Sequence, residues 1–171
     1  MEFRKYLSIL VLSTLTSIQT YSQSNASCTG PLYELAKRFE GVWQEFTVTD
    51  QGEKLEGTLT STFELSGCVI TQRFLSHDKK LTFISFGYVE NATNQWYETY
   101  VLSTGHKASY RWRTEGEEII TDRITEGNVA TRQRLRIKFI NPDFYHVTQE
   151  KSTDEGKTWS KASLTYTKRF K

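Results

Sequence analysis

Residues 54–65, Lys54-Leu55-Glu56-Gly57-Thr58-Leu59-Thr60-Ser61-Thr62-Phe63-Glu64-Leu65, change character at almost every step. Leu55, Gly57, Leu59, Phe63 and Leu65 fall on one side, while Glu56, Thr58, Thr60, Thr62 and Glu64 fall on the other. A period of two is the period of a β-strand, so this segment reads as a strand with one dry and one wet face. Residues 129–140 repeat the pattern, with Val129, Thr131, Gln133, Leu135, Ile137 and Phe139 inward and Arg132, Arg134, Arg136 and Lys138 outward. Leu81-Thr82-Phe83-Ile84-Ser85-Phe86 is apolar on both faces, which predicts partial cover of the outer face at that point.

Outward from these strands, turn-formers recur every eight to twelve residues from Gly41 onward. They include Asp50-Gln51-Gly52, Ser66-Gly67, Asn91 to Asn94, Thr104-Gly105, Glu115-Gly116, Glu126-Gly127-Asn128, Asn141-Pro142-Asp143 and Asp154-Glu155-Gly156. Such spacing marks an antiparallel meander of nine or ten strands joined by hairpins. A long meander exposes edge strands unless it closes, so we expect an all-β, antiparallel up-and-down barrel rather than a sandwich. The convincing helical stretch is Pro31 to Arg38, with Pro31 suited to the first turn and Leu32 and Leu35 to one face. That helix is the available cover for the outer face at Leu81 to Phe86.

The chain of 171 residues has 22 basic and 20 acidic side chains. Ten Phe, nine Tyr and four Trp supply a core for one domain. Its first stretch runs from Arg4-Lys5 through Leu7 to Leu12 and ends on small residues at Ser22, the order of a secretory signal peptide. We therefore expect residues 1–22 to be a signal peptide and 23–171 a single domain, secreted or periplasmic after cleavage. The apolar run is too short to span a bilayer, and Asn25 stands where a lipid-anchored Cys28 would need a Leu-type residue. Loss of Arg4, Lys5 and Glu2 leaves 20 basic and 19 acidic side chains, a balance that steers toward neither nucleic acid nor an anionic membrane. Cys28 and Cys68 lack C-x-x-C spacing and a neighbouring His, so in an oxidising compartment we expect them to form a disulfide.

Three local patterns carry a resemblance. Gly41-Val42-Trp43 opens the first strand and Arg169 closes the last, where a guanidinium can lie over an indole face. Gln95-Trp96 opens a middle strand, and Leu65-Ser66-Gly67-Cys68-Val69-Ile70 forms a turn and strand. The terminal hairpin Ser152-Thr153-Asp154-Glu155-Gly156-Lys157-Thr158-Trp159 matches an Asp-box, in which Asp154 caps turn amides, Gly156 takes a positive φ and Trp159 packs beneath. Together these features, over residues 32–170, resemble a group of exported bacterial lipocalin-like, calycin-type β-barrel domains of unknown function. The resemblance implies a fold rather than an activity. One Asp-box cannot make a propeller, and the echo at Asn91 to Trp96 lacks the glycine.

No nucleophile elbow, P-loop, dinucleotide fingerprint or metal-ligand spacing occurs, and we assign no catalytic or metal-binding residue. The leading expectation is binding of a small apolar or amphipathic molecule inside the barrel. Trp96, Tyr100, Tyr110 and Trp112 come from adjacent middle strands and can line one wall, with Gln133 as the polar group that orients the ligand. The alternative is an enzyme that uses Glu45 or Glu98, each on a strand face with aromatic rings that would raise its pKa. A third possibility is an envelope interaction protein using the stripe Arg132, Arg134, Arg136 and Lys138, unless acids such as Glu118, Asp122 and Glu150 pair with it. No cofactor is expected, the one alternative being haem held by His146, while His77 and His106 lie in or beside turns.

Overall fold

The computed structural model describes residues 28–90, 92–124 and 131–170. A short helix α1 (Pro31–Lys37) precedes ten strands: β1 (Gly41–Thr49), β2 (Gly52–Glu64), β3 (Val69–Ser76), β4 (Leu81–Glu90), β5 (Gln95–Leu102), β6 (Lys107–Glu115), β7 (Glu118–Ile124), β8 (Arg132–Asn141), β9 (Phe144–Ser152) and β10 (Ser160–Arg169). Each strand pairs antiparallel with its sequence neighbour, and β1 pairs with β10 to close the barrel. The fold is thus a closed antiparallel up-and-down barrel of ten strands, lipocalin-like in architecture, and its meander is the one the turn spacing predicts. Residues 1–22, expected to be a signal peptide, Asn91 and residues 125–130, with Val129 and the Glu126–Asn128 turn, lie outside the described residues.

The inner face follows the period-two reading along most strands. Gly57 and Leu59 on β2 and Ile137 on β8 are buried, and Leu135 faces the interior. Two places on β2 depart from it. Glu45 pairs with Gly57 but Phe46 pairs with Leu55, so Glu56 is an extra, bulged residue and Leu55 shifts to the register of Phe46. At the far end β2 stops at Glu64, and Leu65 enters a tight turn with φ 49° and 75% exposure instead of continuing inward. On β8, Thr131 is exposed and lies before the strand begins.

The helix does not cover the outer face of β4, where Phe86 remains 44% exposed. It plugs one end of the barrel instead. Tyr33, Ala36 and Phe39, three residues apart, face inward, with Leu32 and Leu35 only flanking them. Phe39 meets Trp112, Phe139 and Tyr145 edge-on at 5.0 to 5.5 Å, and Tyr33 meets Trp96 at 5.7 Å. Gly87 gives Trp96 its place, since a Cβ there would stand 2.8 Å from both the indole and Ile70. The disulfide between Cys28 and Cys68, expected from the sequence, ties the segment before α1 to the β2–β3 turn.

The same end holds the G-x-W cluster. Trp43 is fully buried, and its Nε1 donates to the Phe39 carbonyl at 2.7 Å. Arg169, directly opposite in register, lies with its guanidinium 4.1 Å from the Trp43 ring centre. Arg169 also donates to the Glu40 carbonyl at 2.7 Å and pairs with Asp143 at 3.0 Å. Gly41 has φ +119°, and a Cβ on it would stand 2.5 Å from Arg169 Nη1, so only glycine fits beneath the guanidinium.

Candidate functional site

The aromatic plug fills one end of the barrel and leaves the middle open. A cavity of about 200 Å³ is walled by Leu59, Phe83, Leu135, Ile137 and Val147, floored by Phe39, Trp112 and Tyr145, and edged by Glu45, Gln72, Glu98, Tyr100 and Thr165. Beyond it a vestibule of about 360 Å³ shares Phe83, Tyr100 and Leu135 and adds Leu102, His106, Lys107, Ala108, Tyr110 and Arg123. A mainly apolar hollow with a few placed polar groups is the usual form of a small-molecule site.

A chain of polar groups crosses the wall from β2 to β6. Gln72 donates to Ser61 Oγ at 3.1 Å, and Ser85 Oγ lies 3.2 Å from Gln72 Oε1 and 2.8 Å from Glu98 Oε1. Trp112 Nε1 donates to Glu98 Oε2 at 3.1 Å, and Tyr100 also hydrogen-bonds to Glu98. None of these partners is cationic. Burial raises the Glu98 pKa, against the opposing pull of Ser85, Tyr100 and Trp112. Ser85 has one proton for its two acceptors, and a protonated Glu98 resolves this by donating to Ser85, which then donates to Gln72.

Glu45 stands on β1, on the inward face with Trp43. Among the described residues no side chain hydrogen-bonds or ion-pairs with it. Its pKa is raised to about 7, first by burial and then by the negative charge of Glu56. The β2 bulge sets Glu56 near Thr47, whose hydroxyl donates to it at 2.6 Å, with Lys54 at 3.2 Å on the same oxygen. The cavity wall therefore carries two carboxyls and no Lys, Arg or His.

The residues that sequence reasoning chose for the wall take different places. Tyr100 and Trp112 line the cavity, and Tyr110 lines the vestibule with its ring 5.4 Å from that of Tyr100. Trp96 is fully buried behind Trp112, 5.0 Å away, and does not reach the cavity. Gln133 shares the inward register of Leu135, but its oxygen already accepts from Arg123 at 2.7 Å near the vestibule. Gln72 and Phe83 carry no sequence motif that marks them, although their positions alternate correctly within β3 and β4, and Ser85 reads from the sequence only as a small strand residue that leaves room inside the barrel. What joins them to Glu98 is cross-strand register: Gln72 opposite Ser85, and Ser85 opposite Tyr100.

His146 does not enter the barrel. Tyr145 takes the inward position opposite Thr167, which leaves His146 in register with Tyr166 and packed against Phe144 and Tyr166. An interior haem ligand at this position is excluded by that alternation. Among the described residues, no group of three His, Cys, Asp or Glu side chains is arranged to hold a metal ion.

Two surface features resolve into local structure. On the basic stripe, Arg134 pairs with Glu150 at 2.5 Å and Arg136 with Glu118 at 2.5 Å, while Asp122 goes to Arg113 at 2.7 Å. This network covers Ile120, an outward residue that is nonetheless fully buried. In the terminal hairpin Asp154 accepts from the Thr158 amide at 2.9 Å and its hydroxyl at 2.6 Å. Trp159 donates to the Gly156 carbonyl at 3.0 Å and carries Arg134 over its ring at 3.9 Å.

No family model matches the chain, and no curated protein matches it in sequence. Among solved structures, the S-type phycobiliprotein lyase CPES from Guillardia theta superposes with TM-score 0.50 at 13% identity, over 83% of this chain and 94% of the other. Rv2717c from M. tuberculosis superposes with TM-score 0.46 at 11% identity, over 84% of this chain and all of the other. The likeness to the lyase is one of fold.

Proposed function

We propose that this chain is an exported, single-domain binding protein that holds a small apolar or amphipathic molecule within its barrel. In this reading residues 1–22 are a cleaved signal peptide and 23–171 the secreted or periplasmic domain. The disulfide is in keeping with an oxidising compartment. No helix among the described residues is long and apolar enough to cross a membrane.

The observation that carries the reading is the cavity. A sealed core would fill the barrel with side chains, whereas here the aromatic plug stops at Trp112 and Tyr145 and an apolar hollow continues to the vestibule. Tyr100 and Trp112 serve as contact walls, Tyr110 guards the entry, and Trp96 acts by fixing the Trp112 ring. Gln133, whose oxygen accepts from Arg123 of the vestibule lining, is in this reading the polar group at the rim.

Native mass spectrometry of protein purified from its own host tests this. The expected result is an adduct that is lost on denaturation, on a polypeptide that begins at Gln23. A bare polypeptide mass, under conditions that preserve other barrel complexes, overturns the binding reading; an N-terminus at Met1 overturns the cleavage.

One observation favours a second reading, an enzyme. A carboxyl with a pKa of about 7 facing a cavity is poised for proton transfer at neutral pH. Such an enzyme would lose turnover but keep its fold in Glu45→Gln, whereas a binder would show no turnover to lose.

A further inference from the structure

Resting on the binding reading above, we infer that the polar end of the ligand is a single organic cation, an alkyl- or arylammonium group, paired with the Glu45 carboxylate. The cavity wall contains acids and no base, and Glu45 has no partner among the described residues while it faces the hollow. An apolar ligand would seal that carboxylate away from water unpaired, and a carboxylate ligand would meet like charge. An ammonium group satisfies it with a charge-assisted hydrogen bond.

The second carboxyl sets the charge at one. Glu98 already accepts from Trp112 and bonds Ser85 and Tyr100, and it is 1% exposed, so its hydrogen-bonding capacity is spent on the wall. The groups that face Glu45 are Glu56 from β2, Tyr100 from β5, Tyr145 from β9 and, directly opposite in register, Thr167 from β10, none of them positive. The apolar part of the ligand then lies against Phe83, Leu135 and Val147, and the faces of Tyr100 and Trp112 add attraction for the cation.

Three probes of one shape and different charge test this: benzylamine, benzyl alcohol and benzoate, measured by thermal shift and calorimetry on the mature protein. Benzylamine should bind tightest, by at least about tenfold, the ratio expected when a charge-assisted hydrogen bond replaces a neutral one. Near neutral pH its binding should release protons, since pairing draws Glu45 to the ionised form. Glu45→Gln should erase the preference for benzylamine and the proton release, and Glu45→Asp should keep the preference. Equal or tighter binding of benzyl alcohol or benzoate overturns the cation while leaving the pocket intact. Binding of none of the three overturns the pocket itself, and with it the cation. Should Glu45→Gln fail to fold, the ranking on unmodified protein decides.

Discussion

Trp112 donates its indole N–H to Glu98 Oε2 at 3.1 Å, so the ring that floors the cavity and the carboxyl that edges it are one unit. The bond fixes the ring plane from β6 and the carboxyl rotamer from β5 at once. Trp112→Phe removes the donor and leaves a buried oxygen short of a partner, for a loss of about 1–3 kcal/mol in denaturant unfolding. Glu98→Gln should instead raise the melting temperature at neutral pH. The folded protein holds Glu98 with a raised pKa, so unfolding there gains ionisation that the amide cannot supply. A lower melting temperature for Glu98→Gln at neutral pH would show that the carboxyl is ionised in the fold.

Glu45 makes stability depend on pH in a defined window. Its pKa rises from 4.5 in the free group to about 7 in the fold, so between these values the folded state binds more protons than the unfolded. Stability associated with Glu45 is therefore complete below about pH 4.5 and is lost as pH rises through about 7, by on the order of 3 kcal/mol. Unfolding curves at several pH values should show a smaller fall in Glu45→Gln than in the wild type, the remainder belonging to Glu98.

Cys28 and Cys68 close a loop of sequence separation 40. By the chain-entropy argument this constrains the unfolded state by roughly 4 kcal/mol. Replacing both by Ser should lower unfolding free energy by about that amount, and reductant should do the same to the wild type but not to the variant. Intact mass after alkylation, with and without reductant, checks the linkage.

Gly41, Trp43 and Arg169 should behave as a coupled set. Trp43→Ala should cost about 3–5 kcal/mol, as a large ring leaves a cavity at the plugged end. Gly41→Ala should be severe alone, because φ +119° strains any side chain and its Cβ meets Arg169 Nη1, and an Arg169→Ala background should relieve only the second part. Additive losses in that double-mutant cycle would show that the guanidinium does not press on Gly41.

Much of the barrel was legible because a strand writes its two faces into alternate residues. Leu59, Leu135 and Ile137 could be placed inward without coordinates, and the spacing of turns implied a closed meander. The same rule put His146 and Tyr145 on opposite faces but did not say which was inside. Cross-strand register to Thr167 decided that. Leu55 departs from the alternation because a single bulged residue, Glu56, reverses it beyond that point and leaves no local signature.

What the sequence determined by itself was local: strand periodicity, turn chemistry, the pairing options of two cysteines, and the residue types held by each face. What only the tertiary structure decided was which faces meet across the barrel. Gln72, Ser85, Glu98 and Trp112 lie on four successive strands and up to 40 positions apart, and pairing register alone makes them one polar chain. Whether Trp96 or Trp112 reaches the hollow depended on where α1 docked, since Tyr33 closes over one ring while the other floors the cavity. The physical reason is that backbone alternation is set by neighbours in the chain, whereas burial and proton affinity are set by whatever the closed barrel brings opposite.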